Sequence, residues 1–230
     1  MKYFIINYGP PASGKGSLKL LIVRSLGIDE KTISDIDVDK IVVYVCKNNR
    51  IECDNISQDD YKKYRKDADE MSDAQLKESL EKGLNIIWET TGNSIDWTIN
   101  TYIPLVKSHG YQIVLSLPIV KLNKIIKRCY MRKQAANCTY KYLNEVRNNS
   151  YTNFKTLSKY CDVVMIYDNN AKAKLIYNNQ CVSNVSPRSF DKTIASSKIL
   201  SFLKSKKCIK KRKRSRHRSK TFKKFCTNPG

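Results

Sequence analysis

The chain has 230 residues, 41% of them hydrophobic, and a formal net charge of +22. That length holds one α/β domain with a full core and a further segment. No run approaches roughly 18 apolar residues, which excludes an α-helical membrane span, and Met1-Lys2 leads into a short apolar strand in place of a signal-peptide pattern.

Tyr3, Phe4, Ile5, Ile6, Asn7 and Tyr8 read as a buried β-strand, and residues 18–26 read as a helix. Between them lie Gly9, Pro10, Pro11, Ala12, Ser13, Gly14, Lys15, Gly16 and Ser17. Strand, Gly-x4-Gly-Lys, helix is the order of a P-loop. Its backbone N–H groups and the helix N-terminus would cradle phosphate oxygens, and Lys15 would reach the β- and γ-phosphates. All nine residues are therefore expected to bind nucleotide. The common loop has Ser or Thr directly after Lys as a Mg²⁺ ligand. Here Gly16 takes that place and the hydroxyl comes one later, at Ser17, the candidate metal ligand.

Residues 31–40 read as a short second strand ending in Asp35, Asp37 and Asp39, with a helix continuing from 41. Ser57-Gln58-Asp59-Asp60 sits as a capping box for a long helix to about Lys82, ended by Gly83. Its apolar face would hold Tyr61, Tyr64, Ala68, Met71, Leu76 and Leu80. Residues 84–89 predict a third strand, followed by the turn Thr90-Thr91-Gly92-Asn93 and Ser94 as an N-cap. A helix over 95–108 carries Pro104 as an expected kink. Residues 111–117 predict a fourth strand that exits at Pro118. A basic helix at 121–133, a helix over 140–159, a fifth strand at 161–168 and a short edge strand at 174–177 follow. The core is expected to stop near residue 186, with one more helix over 189–203. Alternating strands and helices predict an α/β fold of the P-loop NTPase type, a parallel sheet between helices. The domains expected are a kinase-like unit at 1–186 and a helix plus basic tail at 187–230.

Residues 201–230 carry 13 Lys/Arg and no acid. Charge this dense repels itself, so the tail is expected to be disordered, and it reads as an import-receptor signal or a nucleic-acid-binding arm. A solubilising tail without a partner is the bland alternative. Eight cysteines are scattered without Cys-x2-Cys pairs and there are two His, which argues against zinc. They read as reduced thiols of an intracellular protein, cytoplasmic or nuclear.

Ligands of such sheets bind at the carboxyl ends of the strands, which would gather the P-loop, the three aspartates and residues 89–93. Phosphoryl transfer needs the donor held, charge neutralised and the acceptor hydroxyl deprotonated in line. Lys15 and the loop would hold ATP or GTP with Mg²⁺. Asp39 or Asp37 would accept the proton, and Asp35 would help order Mg²⁺ through water. Glu89 ends an apolar strand, where packing does not explain a carboxylate. It would accept hydrogen bonds from substrate hydroxyls, coordinate Mg²⁺ through water, or be a strand-end acid paired to a Lys. Arg128 and Arg132 share a helix face and would meet transferring phosphate charge.

The P-loop, Ile36-Asp37-Val38-Asp39, Ile86-Ile87-Trp88-Glu89-Thr90-Thr91-Gly92-Asn93, Gly110-Tyr111, the strand ending in Pro118 and the helix with Arg128 together resemble the zeta-toxin family of P-loop kinases, over roughly residues 1–180. The resemblance implies phosphorylation of a sugar hydroxyl of UDP-N-acetylglucosamine. It implies Lys15 as the P-loop lysine, Asp39 as catalytic base, Glu89 as substrate contact and Arg128 at the transferred phosphate. Asp37, Thr90, Thr91 and Arg132 complete the expected substrate-binding set; the family's second lid arginine has no aligned counterpart, Arg132 and Arg147 being the candidates. Gly16 and Asn93 depart from the family's usual Thr and Arg. The leading expectation is a kinase acting on a small-molecule hydroxyl, without a membrane partner. The alternatives are a polynucleotide kinase recruited by the tail and a non-catalytic nucleotide- or nucleic-acid-binding module.

Overall fold

The computed structural model describes residues 1–51, 58–93, 95–131 and 138–179, together with Ile199 and Phe202. Six strands form one sheet in the order β2-β3-β1-β4-β5-β6. These are β1 (Tyr3–Tyr8), β2 (Ile33–Ile36), β3 (Asn85–Thr90), β4 (Gln112–Ile119), β5 (Val163–Asp168) and β6 (Lys174–Asn178). The first five are parallel and β6 runs antiparallel at the edge. The chain winds to one side of β1 and then crosses to the other, so the sheet's switch point falls at the end of β1, where the loop at 9–17 emerges.

Strand alternation divides the core. Phe4, Ile6 and Tyr8 face one side, and Ile5 faces the other, toward Leu18, Ile22 and Val23 of helix α1 (Lys15–Leu26). The first side is covered by α3 (Gln58–Glu81), α4 (Ile103–Ser108) and α6 (Tyr140–Leu157). Against α3 packs α2 (Val38–Asn48), whose Val38, Val42, Val45 and Cys46 recur at helical spacing and cluster with Tyr64 and Ala68. Ile199 and Phe202 are helical and buried, with the Phe202 ring 5.2 Å from Phe154, so the main core takes in residues past 186.

Several expectations need correction. The second strand ends at Ile36 and a helix begins at Val38, because Asp37 stands at its N-cap position. Pro118 lies inside β4, beyond the last pair with β1 (Asn7 with Ser116), where its missing N–H costs no bond to that strand. Pro104 does not interrupt a uniform helix: a π-helical turn (Thr98–Tyr102) precedes it and Pro104 sits in the first turn of α4, where no intrahelical N–H is required. Met71, expected on the buried face of α3, is 41% exposed. The thiols are not all reduced. Cys129 and Cys138 form a disulfide with Cα atoms 5.7 Å apart, and Cys46 is also disulfide-bonded. The first pair is nine positions apart, a spacing without a motif; Cys129 lies in the last turn of α5 (Leu122–Tyr130) and Cys138 just before α6. The capping residues Ser57 and Ser94, the Tyr61 side chain, Arg132, most of the 189–203 helix and the basic tail lie outside the described residues.

Candidate active site

The loop at 9–17 is held from several directions. Gly9 N–H donates to Thr90 O (3.1 Å) and Ser13 N–H to Pro10 O (3.3 Å). Ala12 adopts φ 55°, a conformation an L-residue takes at a cost of about 1 kcal/mol or more, while its methyl packs against Val120, Ile125 and Leu143. Gly14 at φ 84° opens α1, and a Cβ there would lie 2.3 Å from Asn169 Nδ2. That amide donates to Ser13 O (2.8 Å). Arg128 donates to Ser13 O (3.4 Å) and Asn169 O (2.8 Å), which sets its guanidinium beside the loop. Asn7, fully buried, donates to Lys15 O (3.0 Å) and accepts from Ser116 Oγ (3.0 Å), which locks β1, β4 and α1 at the loop's base.

Lys15 is buried, and its ammonium donates back to Gly9 O (2.9 Å) and Pro10 O (3.2 Å). Gly16 is exposed with nothing near a built Cβ, so no packing demands glycine there. Ser17 is exposed and its hydroxyl donates to Gly14 O (2.7 Å). Ser13 Oγ is buried without a hydrogen-bond partner among the described residues. Leaving a buried hydroxyl unsatisfied costs about 1–3 kcal/mol, which marks the loop as incomplete by itself.

A line of charges leads away from Lys15. Glu89 Oε1 lies 3.9 Å from Lys15 Nζ, and its Oε2 lies 3.0 Å from Lys19 Nζ. The second contact has ion-pair distance without hydrogen-bond alignment, since Oε2 is otherwise an unbonded buried oxygen. Lys19 also binds Asp35 (2.6 and 2.9 Å). Burial works to lower the Lys19 pKa, but the hydrogen bond and charge of Asp35, with Glu89, outweigh it and hold it above its ordinary value. Lys40 then pairs with Asp35 (3.1 Å) and Asp37 (3.6 Å). Glu89 is thus both paired to a lysine and placed beside the loop.

Past this line opens a cleft of about 430 Å³ between α2 and α3. Asp35, Asp37 and Lys40 line its sheet end; Ile41 and Tyr44 line one wall, and Met71, Ala74, Gln75 and Glu78 the other. Asp37 is 14% exposed at the cleft. Asp39 is not part of the lining: it lies in the first turn of α2, 81% exposed, paired with Arg65 at 3.3 Å. The helix that starts at Val38 turns about 100° per residue, which swings Asp39 away from Asp37.

The turn after β3 is anchored rather than open. Thr90 Oγ1 accepts from Gly92 N–H (3.2 Å), and Thr91 O accepts from Ser150 Oγ (2.5 Å). Gly92 O accepts from Tyr8 Oη (3.2 Å) and Asn153 Nδ2 (3.0 Å). Thr90 and Thr91 are half-buried and neither lines the cleft. Arg147 donates to Val120 O (3.2 Å) and covers the Tyr151 ring. Sequence reading missed Asn7, Lys19, Lys40 and Asn169. Lys19 was within reach, because it follows Lys15 by one helical turn.

A parallel sheet with a Gly-x4-Gly-Lys loop at its switch point, flanked by helices, defines a P-loop kinase-like α/β fold. The family model for zeta toxin matches residues 3–181, and the chain belongs to the zeta-toxin family. Among solved structures, the chain is similar to one from the PezAT chromosomal toxin–antitoxin system of Streptococcus pneumoniae, with TM-score 0.62 and 18% identity over 90% of this chain and 84% of that one. It is also similar to AvrRxo1-ORF1:AvrRxo1-ORF2 with ATP (TM-score 0.55, 11% identity, 88% of this chain and 62% of that one). The form of that complex with sulphate ions gives TM-score 0.53 at 13% identity, over 77% and 58%. At these identities the likeness shows the fold alone. No curated protein sequence matches. Among the described residues no helix is long and apolar enough to cross a membrane.

Proposed function

We propose that this chain is a kinase that transfers the γ-phosphoryl group of ATP or GTP to a hydroxyl of a small molecule. The observation that carries the reading is the line Lys15–Glu89–Lys19–Asp35, which joins the phosphate-type loop to a cleft of substrate size. The orphaned Ser13 hydroxyl and the loop N–H groups suit an anion. The ATP bound in the similarly folded AvrRxo1 complex supports a nucleotide as donor.

In this reading the acceptor hydroxyl oxygen attacks the γ-phosphorus, the bond to the bridging oxygen breaks, and the nucleoside diphosphate leaves with the electron pair. Asp37, the carboxylate at the cleft, takes the hydroxyl proton. Lys15 leaves the loop carbonyls for the phosphates, and Arg128 meets the charge on the transferred group. Mg²⁺ fits this donor set sparsely: Ser17 Oγ keeps lone pairs while donating to Gly14 O, Glu89 is the nearby carboxylate, and phosphates and water would supply the rest. When bound, it would supply positive charge that offsets that of the donor phosphates.

The test is ATP and GTP turnover with Mg²⁺, with and without UDP-N-acetylglucosamine, the acceptor that the family resemblance implies. Lys15→Ala should abolish turnover. Asp37→Asn should lower it by about 10²–10⁴-fold with nucleotide binding kept, and Asp39→Asn, run beside it, should be milder. The reverse order would move the base to Asp39, and nucleotide binding untouched by Lys15→Ala would end the P-loop reading. The second reading, favoured by the 13 Lys/Arg of residues 201–230, is scored with an oligonucleotide 5′-hydroxyl as acceptor. Its turnover should fall steeply with salt if the tail binds the strand.

A further inference from the structure

We propose that Lys19 is a positioning residue: it holds the Glu89 carboxylate off Lys15 and so keeps the loop lysine available to the donor phosphates. This rests on the kinase reading and concerns how its donor site is kept competent. Lys15 and Lys19 stand one turn apart on α1 and approach the same carboxylate. They share it unequally, with Glu89 Oε1 at 3.9 Å from Lys15 Nζ and Oε2 at 3.0 Å from Lys19 Nζ. Lys15 meanwhile donates to Gly9 O and Pro10 O, neutral acceptors that hold an ammonium less strongly than a carboxylate does. The Lys15 and Glu89 side chains are only 8% and 17% exposed, so water screens their attraction poorly. Without a second cation, Glu89 would draw Lys15 into a close ion pair. ATP would then have to break that pair and set its phosphates against an uncompensated carboxylate. Lys19 prevents this from between two acids, Glu89 and Asp35. The hydrogen bond and charge of Asp35, with Glu89, keep it protonated against its burial. Asp35 has a second cation in Lys40, whereas the other ion pair of Glu89 among the described residues is the one with Lys15. The charge of Lys19 therefore acts on Lys15 through Glu89.

The test is ATP titration by calorimetry without Mg²⁺, on the wild type, Lys19→Met, Lys19→Arg, Glu89→Gln and the Lys19→Met/Glu89→Gln double variant, each held well below its own thermal melt. Lys19→Met should bind ATP about 10-fold weaker or worse. Lys19→Arg keeps the charge and should return the affinity to within about 3-fold of wild type. Glu89→Gln should bind ATP at least as tightly as wild type, and the double variant should match it within about 3-fold, because with Glu89 neutral nothing competes for Lys15. If Lys19 instead served the phosphates directly, the two substitutions would be additive. If its role were merely structural, the melt would fall and the ATP affinity of the folded protein would not. Additivity, Lys19→Met binding ATP as wild type does, or Lys19→Arg as weak as Lys19→Met would each overturn the inference. If Lys19→Met does not fold, the double variant against Glu89→Gln carries the test alone, and a gap of about 10-fold between them overturns it. The expected pattern of ATP binding without phosphoryl transfer to any acceptor would end the kinase reading and leave the inference standing. A wild type that binds no ATP would end both.

Discussion

Replacing Gly92 with Ala tests how the turn after β3 is fixed. Gly92 has φ 68°, and a Cβ there would lie 1.9 Å from Tyr8 Cε2, 2.0 Å from Cζ and 2.3 Å from Oη. Tyr8 has nowhere to go. It is fully buried, its ring sits 6.3 Å from Phe154, and its hydroxyl donates to Ser150 O (2.8 Å) as well as to Gly92 O. The left-handed backbone costs Ala about 1 kcal/mol. Forcing the ring aside costs about 1–3 kcal/mol, and a lost buried hydroxyl bond about 1 more. The sum is about 3–5 kcal/mol, or roughly 6–20 °C in Tm for a domain of this size. Urea unfolding followed by circular dichroism measures it. In a Tyr8→Leu background the clashing atoms are gone, and Gly92→Ala should then cost only about 1–2 kcal/mol. A loss below about 1 kcal/mol in the wild type, or equal losses in both backgrounds, would refute the reasoning.

Removing the Cys129–Cys138 bridge with a double Ala substitution opens a short loop and should cost about 2.5 kcal/mol, with the gap to wild type shrinking under reductant. Asn169→Ala removes the buried donor to Ser13 O and should weaken ATP binding about 5–30-fold while lowering the melting temperature by a few degrees, read by nucleotide titration beside a thermal melt. Alkali should unfold the protein early. Burial pushes the Tyr8 phenol up, holds Tyr167 at about 12 and, with Asp162, holds the Cys161 thiol at about 12. Each raised group gives stability that is complete below its unfolded pKa, about 8.5 for Cys and 10 for Tyr, and that is lost as pH rises toward the folded value. The unfolding free energy from urea titrations should therefore fall between pH 9 and 12 by about 1.4 kcal/mol per unit for each group titrating, and a flat profile would contradict the burial argument.

The sequence by itself determined the class of this protein. Apolar runs at 3–8, 84–89, 111–117 and 161–168 became four strands within a residue or two, because fully buried parallel strands need unbroken apolar stretches. Gly-x4-Gly-Lys between the first strand and helix placed the loop at the switch point of the sheet, and the fold sets the Arg128 guanidinium beside it. Only the tertiary structure decided the rest. Asp37 and Asp39 are alike as letters; a helix start at Val38 separates them, and that boundary depends on packing of α2 against α3. Asn7 and Asn169 matter through partners 109 and 156 residues away, distances over which no local pattern carries information. The bond between Cys129 and Cys138 and the acid-lined cleft are likewise properties of how α5 meets α6 and α2 meets α3. Side-chain identity supplies the groups, but which groups face each other is set by the sheet order and the helix rotations that bury the most apolar surface.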